Sequence, residues 1–151
     1  MLELARDCDQ EALERMAQQV HAMHVSWRPD IYKEEEELIS GEELFYEIMR
    51  KQLYVAKIHG QAVGYVRFAI RSFDWCGVVP RTVMLIEEFC VEEAFRGQGI
   101  GTQMVQELRV LAKAFGCTDL QLSVYPQNDA AVSFYQKCGF MIQTIGMQRK
   151  V

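Results

Sequence analysis

The sequence predicts an α/β (α+β) fold: a mixed, mostly antiparallel central sheet flanked by helices. Three observations carry the prediction. Two segments rich in Val, Tyr, Ile and Phe, 53–58 and 62–70, are joined by His59-Gly60-Gln61, a tight-hairpin signal. From Gly99 to Phe115, Ile100, Met104, Val105, Leu108, Leu111, Ala112 and Phe115 recur at helical spacing. That stripe lies between two further strand-like runs, 82–91 and 120–124, giving one strand–helix–strand unit at the centre.

The other elements follow in chain order. Leu2–Ala5 forms a short opening strand. From Glu11 to Met23, Leu13, Met16, Ala17, Val20 and Met23 share one helical face. Residues 25–39 hold Trp27, Pro29 and the run Glu34–Glu37, and read as an irregular or partly helical connection. Ser40-Gly-Glu-Glu43 matches a capping box and starts a helix that reaches about Arg50. Gly116 stops the stripe helix. Asn128–Cys138 is a further helix, ended by Gly139, and Phe140–Gln148 returns to strand.

Composition narrows the class. The 151 residues suit one domain, with 50% hydrophobic and 25% charged residues. Glu87, Glu88 and Arg96 interrupt the most apolar stretch, so no membrane span is expected. The start, MLELARDCDQ, is acidic where a signal peptide is basic and then apolar, which favours a cytoplasmic address. A net charge of −5 argues against a nonspecific grip on nucleic acid. Five cysteines without CxxC spacing suggest neither a disulfide framework nor a zinc site. His21 and His24, one turn apart, lack a third ligand nearby, so no metal is expected.

The chemistry begins at Arg96-Gly97-Gln98-Gly99-Ile100-Gly101. Glycines at the start of a helix let a ligand approach the backbone, and free N–H groups there favour phosphate oxygens. The loop lacks the Gly-Lys-Ser/Thr of a Walker A site and has GxGxG rather than GxGxxG. A flexible turn without a ligand stays open on these residues alone.

Taken with a second motif, the loop resembles that of the GNAT superfamily of acetyl-CoA-dependent N-acetyltransferases. Arg96, Gly99 and Gly101 match the family's Arg/Gln-x-x-Gly-x-Gly/Ala pattern. Asn128, Ala131, Phe134, Tyr135, Gly139 and Phe140 match its later Asn-x-x-Ala-x-x-Phe-Tyr-x-x-x-Gly-Phe. Ile86–Val91 is similar to the family's central strand, and the matching core runs from about Met84 to Phe140.

The resemblance implies a GNAT-like acyl-CoA fold and acetyl-CoA as acyl-donor co-substrate. It implies cofactor contacts from backbone groups of Phe89, Cys90 and Val91, from Arg96, Gly97, Gln98, Gly99, Ile100 and Gly101, and from Asn128. Tyr135 would protonate the departing thiolate, and Asn128 would also cap its helix.

An alkyl amine, with a pKa near 10.4, needs a group to take its proton. Adjacent glutamates in a regular strand face opposite ways. Glu87, in phase with Phe89 and Val91, is the expected base, and Glu88 the expected acceptor contact. Cys90 and Cys138 have no histidine beside them in sequence, so direct attack in a ternary complex is preferred over an acetyl-cysteine. The acceptor wall is expected to include Trp27, Arg28, Asp30, Tyr32 and the Glu34–Glu37 run. These acids suit a cationic amine such as a polyamine, and Glu87-Glu88-Phe89 resembles a segment of diamine acetyltransferases. Expected partners are a small-molecule amine or a peptide, with a homodimer compatible and no nucleic acid or membrane. The alternatives are a peptide-amine acetyltransferase, a non-catalytic acyl-CoA-binding regulatory domain, and a phosphate-ligand module of unrelated fold.

Overall fold

A computed structural model describes residues 1–151. Five strands, β1 (Leu2–Leu4), β2 (Leu53–Ile58), β3 (Gln61–Phe73), β4 (Arg81–Val91) and β5 (Asp119–Leu122), form one sheet in the order β1-β2-β3-β4-β5. The first four pair antiparallel and β5 runs parallel to β4, as a helical crossover between them requires. Helices α1 (Gln10–Trp27), α2 (Gly41–Arg50), α3 (Ile100–Ala114) and α4 (Asp129–Lys137) complete the set.

Local chemistry explains the boundaries. Ser40 accepts from the Glu43 N–H while Glu43 accepts from the Ser40 N–H, so the capping box starts α2 as its sequence indicates. The hairpin after Ile58 turns on His59 (φ 49°) and Gly60 (φ 81°), both in the left-handed region that a two-residue type I′ connection uses. α1 runs one turn past Met23 and stops before Pro29, whose ring disfavours helical backbone at Arg28.

The sheet separates two cores. Leu13, Met16 and Ala17 of α1 and Leu44 of α2 pack with Leu53, Val55, Tyr65 and Cys90. Ile100, Met104, Leu108 and Ala112 of α3 pack with Val63, Val66, Phe68, Met84 and Ile86. Each core shields one face of β3 and β4, the two strands with the longest ladder.

Two sequence expectations are corrected. The strand over Phe140–Gln148 is absent: no residue from 141 to 151 makes a backbone–backbone hydrogen bond. A β-rich segment becomes a strand only beside a partner, and this one is held by side chains instead, through Arg28 to Gln148 (2.8 Å) and Lys150 to Asp30 (3.7 Å). The second correction is in β4, where the ladder pairs Arg67 with Glu88 and Phe68 with Ile86. Glu87 is thus the extra residue of a β-bulge, and simple alternation fails there.

Candidate active site

The ladder between β4 and β5 ends at Ile86–Leu122, so Glu87–Val91 have no strand on that side. The Glu92 N–H bonds the Val63 carbonyl, continuing the β3 ladder. In an antiparallel ladder alternate residues turn their N–H and C=O to opposite edges, so Val91 and Phe89 aim theirs into the split between β4 and β5. The Val91 carbonyl is taken by Arg96 Nε at 2.9 Å. Cys90, by the same alternation, turns its backbone toward β3. Its thiol is buried against the Met16 carbonyl (3.7 Å), and burial pushes it up to about 11.

The glycine loop closes one end of the split. Gly97 (φ 76°) and Gly99 (φ 81°) are left-handed, and a Cβ on either would meet nothing within 4 Å. Gly99 caps α3, and the first turn of the helix carries no acidic side chain. The Ile100, Gly101 and Thr102 N–H groups have no intrahelical acceptor, which makes this helix end favourable to an anion. Gly101 has a different reason to be glycine: a Cβ there would lie 3.0 Å from Phe134 Cζ. α4 thereby sits directly against the start of α3.

That contact places the second motif beside the split. Asn128 Oδ1 accepts from the Ala131 N–H at 3.1 Å and caps α4. Tyr135 meets Phe89 edge-on, with ring centroids 6.0 Å apart, and Phe140 at 5.5 Å. Burial, with the Cys138 and Cys90 thiols nearby, pushes its phenol up to about 12.

The paired glutamates differ from the parity expectation. The guanidinium of Arg67 reaches both, with Nη2 donating to Glu88 at 2.6 Å and Nε 3.9 Å from Glu87 Oε2. It also lies 3.9 Å from Glu47 of α2. Glu88 accepts a second bond from the Tyr65 hydroxyl at 2.8 Å. Tyr65 is 1% exposed, and burial followed by the Glu88 charge raises its phenol above the ordinary value. Glu88 is thus doubly committed within the protein, whereas Glu87 has only the long Arg67 contact and keeps about a third of its side chain in water.

Tyr32 and Tyr125 join hydroxyls at 3.0 Å, linking the 28–40 loop to the segment after β5. Arg28 is held bidentate by Asp30, both bonds 2.9 Å. Glu34–Glu36 line a groove of about 680 Å³ against Gln18, His21 and Val25 of α1. None of them is hydrogen-bonded or ion-paired to Glu87 or Glu88.

Sequence reading missed Arg67, Tyr65, His24 and Tyr125 as neighbours of this region. Nothing in a strand's composition shows which side chains a bulge brings together, and Tyr125 lies outside both motifs.

Comparison with known proteins fits this architecture. The model of the acetyltransferase (GNAT) family matches residues 11–140. Thialysine N-epsilon-acetyltransferase of Bos taurus is 28% identical over 99 residues, 66% of this chain and 58% of that protein. Spermine/spermidine N(1)-acetyltransferase of Bacillus subtilis is 32% identical over 56 residues, 36% of this chain and 37% of that protein. The chain spans 38%, 46% and 58% of the length of three curated relatives it matches. A crystal structure of a Bacillus halodurans protein shares the fold at a TM-score of 0.94 and 24% identity, covering 100% of this chain and 99% of the other. With a split parallel pair, an anion-ready helix start and a family match across most of its length, the chain belongs to the acetyltransferase (GNAT) family.

Proposed function

We propose that this protein transfers the acetyl group of acetyl-CoA to a primary amine of a small cationic molecule by direct attack in a ternary complex. The observation that carries the reading is the split between β4 and β5. Its open edge offers the Phe89 N–H and C=O and the Val91 N–H, and its far end is the N-terminus of α3. An amide-bearing arm fits such an edge as an added strand, and a pyrophosphate fits the free amides at Ile100, Gly101 and Thr102. Arg96 supports the site by holding the Val91 carbonyl.

Each proposed role follows from what a group still has free. Glu87 takes the proton of the attacking amine, directly or through a water, because Glu88 is already bound by Tyr65 and Arg67. The amine nitrogen bonds to the thioester carbonyl carbon as the carbon–sulfur bond breaks. A backbone N–H of Phe89 or Val91 steadies the charge that grows on the carbonyl oxygen. Tyr135 gives its proton to the departing sulfur. Cys90, buried and with a raised pKa, is unsuited to carry the acetyl group itself.

Similarity to enzymes named for thialysine and for spermine and spermidine supports an acceptor with more than one charged group. The test is release of free thiol from acetyl-CoA across a panel of diamines, polyamines, monoamines and peptides. Turnover highest with multiply charged amines supports the full reading. Turnover confined to peptides would replace the acceptor class, and none with any amine, despite acetyl-CoA binding, would leave only a cofactor-binding protein.

A further inference from the structure

Four rings gather where the end of α1, the 28–40 loop and the segment after β5 meet. His24 stacks on Tyr32, with centroids 5.1 Å apart and planes at 27°. Tyr125 meets His24 edge-on at 5.7 Å and Tyr32 at 6.3 Å. Trp27 lies 5.9 Å from His24. None of the four belongs to either packed core, and each is only half-buried. All four therefore keep part of their surface toward water.

Charges of both signs surround the cluster: Glu88, which is paired with Arg67, and Arg28 and Lys150, which share Asp30. Glu88 is close enough for its charge to act on His24. Burial, and then the neighbouring His21, lower the pKa of His24, so its ring is neutral at neutral pH and does not repel a positive group. Arg28 is held bidentate by Asp30, which also pairs with Lys150 at 3.7 Å. Ring faces attract ammonium groups through their quadrupole, most strongly where water is partly excluded.

We infer that His24, Tyr32 and Tyr125, with Glu88 behind them, form a subsite that seats the non-reacting cationic group of the acceptor. The inference rests on the acetyl-transfer reading and sharpens it: the acceptor carries two positive centres, one on the rings and one presented to Glu87. Trp27 borders the cluster and reports on its occupation. The Tyr32–Tyr125 hydroxyl pair fixes the two rings relative to each other and ties the 28–40 loop to the segment after β5.

The test uses the full chain with Trp75→Phe, so that Trp27 is the only tryptophan, and follows its fluorescence. The probe is choline, which is cationic and has no amine to acetylate; its neutral isostere is 3,3-dimethylbutan-1-ol. Choline is expected to bind saturably and about tenfold or more tighter than the isostere. Tyr125→Phe, which keeps the ring, retains this preference, and Tyr125→Leu reduces it to near unity with the circular dichroism spectrum unchanged. Choline should also inhibit acetyl transfer competitively with the acceptor.

Equal binding of the two probes, or a preference untouched by Tyr125→Leu, overturns the subsite. Acetylation of amines without choline competition does the same and leaves the transferase reading intact. Selective choline binding in a protein that acetylates no amine upholds a cation site and sinks the transferase reading.

Discussion

Gly101 at the start of α3 faces the edge of Phe134 on α4, and a Cβ added to it would come within 3.0 Å of Cζ and 3.2 Å of Cε2. The two motifs that mark the family in sequence thus touch, and the glycine is needed for the helix contact as much as for any ligand. Gly101→Ala is expected to destabilise the fold by about 1–3 kcal/mol through overpacking. Adding Phe134→Leu should recover part of that loss in urea denaturation, and a purely additive pair would sever the link between the helices. Gly99→Ala, by contrast, meets no neighbour but must hold a left-handed backbone, at a cost of about 1–2 kcal/mol. Thermal shift by acetyl-CoA should weaken in both.

Tyr135→Phe keeps the ring against Phe89 and Phe140 and removes only the hydroxyl. Turnover should fall about 10²–10⁴-fold, the usual contribution of a catalytic acid, with acetyl-CoA affinity nearly unchanged. Burial pushes this phenol up to about 12, so it stays protonated through the working range. The sign for stability follows. In the unfolded chain the phenol ionises near pH 10, so stability declines from there until the folded phenol also ionises near pH 12. Tyr135→Phe should flatten that alkaline decline, measured by urea melts from pH 8 to pH 11.

Cys90 is 3% exposed with a pKa raised to about 11, while Cys8 and Cys76 are exposed. Brief alkylation of the native protein should label Cys8 and Cys76 and spare Cys90, as read by mass spectrometry. Cys90→Ala should retain turnover to within a few-fold. Its loss, with the fold intact, would revive the acetyl-cysteine route.

Glu87 and Glu88 should separate on substitution. Glu87→Gln is expected to slow turnover by about 10²-fold or more and to change the pH profile, with little effect on melting. Glu88→Gln weakens the charged hydrogen bond from Arg67 and should cost about 1–3 kcal/mol of stability. Arg67→Met leaves Glu47, Glu87 and Glu88 without their shared cation, and its loss of stability should shrink as salt screens the three acids.

Apparent affinity for a doubly charged acceptor should fall as ionic strength rises, since the acids of Glu34–Glu36 and Glu87 lie partly in water. Steady-state KM for a diamine and a neutral-bodied monoamine, measured from low to high salt, checks this. Parallel salt curves for the two would argue against steering by charge.

The elements with local causes were legible in the sequence. The Ser40–Glu43 box, the His59–Gly60 turn and the α3 stripe each depend on residues a few positions apart, and each appears where its chemistry indicates. What depended on partners was not legible. Phe140–Gln148 has strand composition but no neighbouring strand to complete it. The parity of Glu87 and Glu88 assumed an unbroken ladder, and only the pairing of Arg67 with Glu88 and Phe68 with Ile86 reveals the added residue. His24 read as a helix edge because Tyr32 and Tyr125, which pack against it, come from two distant segments.

The bulge lets β4 change length at one point without moving anything on either side. Val83–Ile86 keep their registration with β5, and Phe89–Val91 keep theirs with β3, whether or not a residue stands between Ile86 and Glu88. Removing Glu87 would close the ladder and leave the glycine loop and both cores in place. The residue added at this point can therefore change in number and identity while the glycine loop and both cores keep their places.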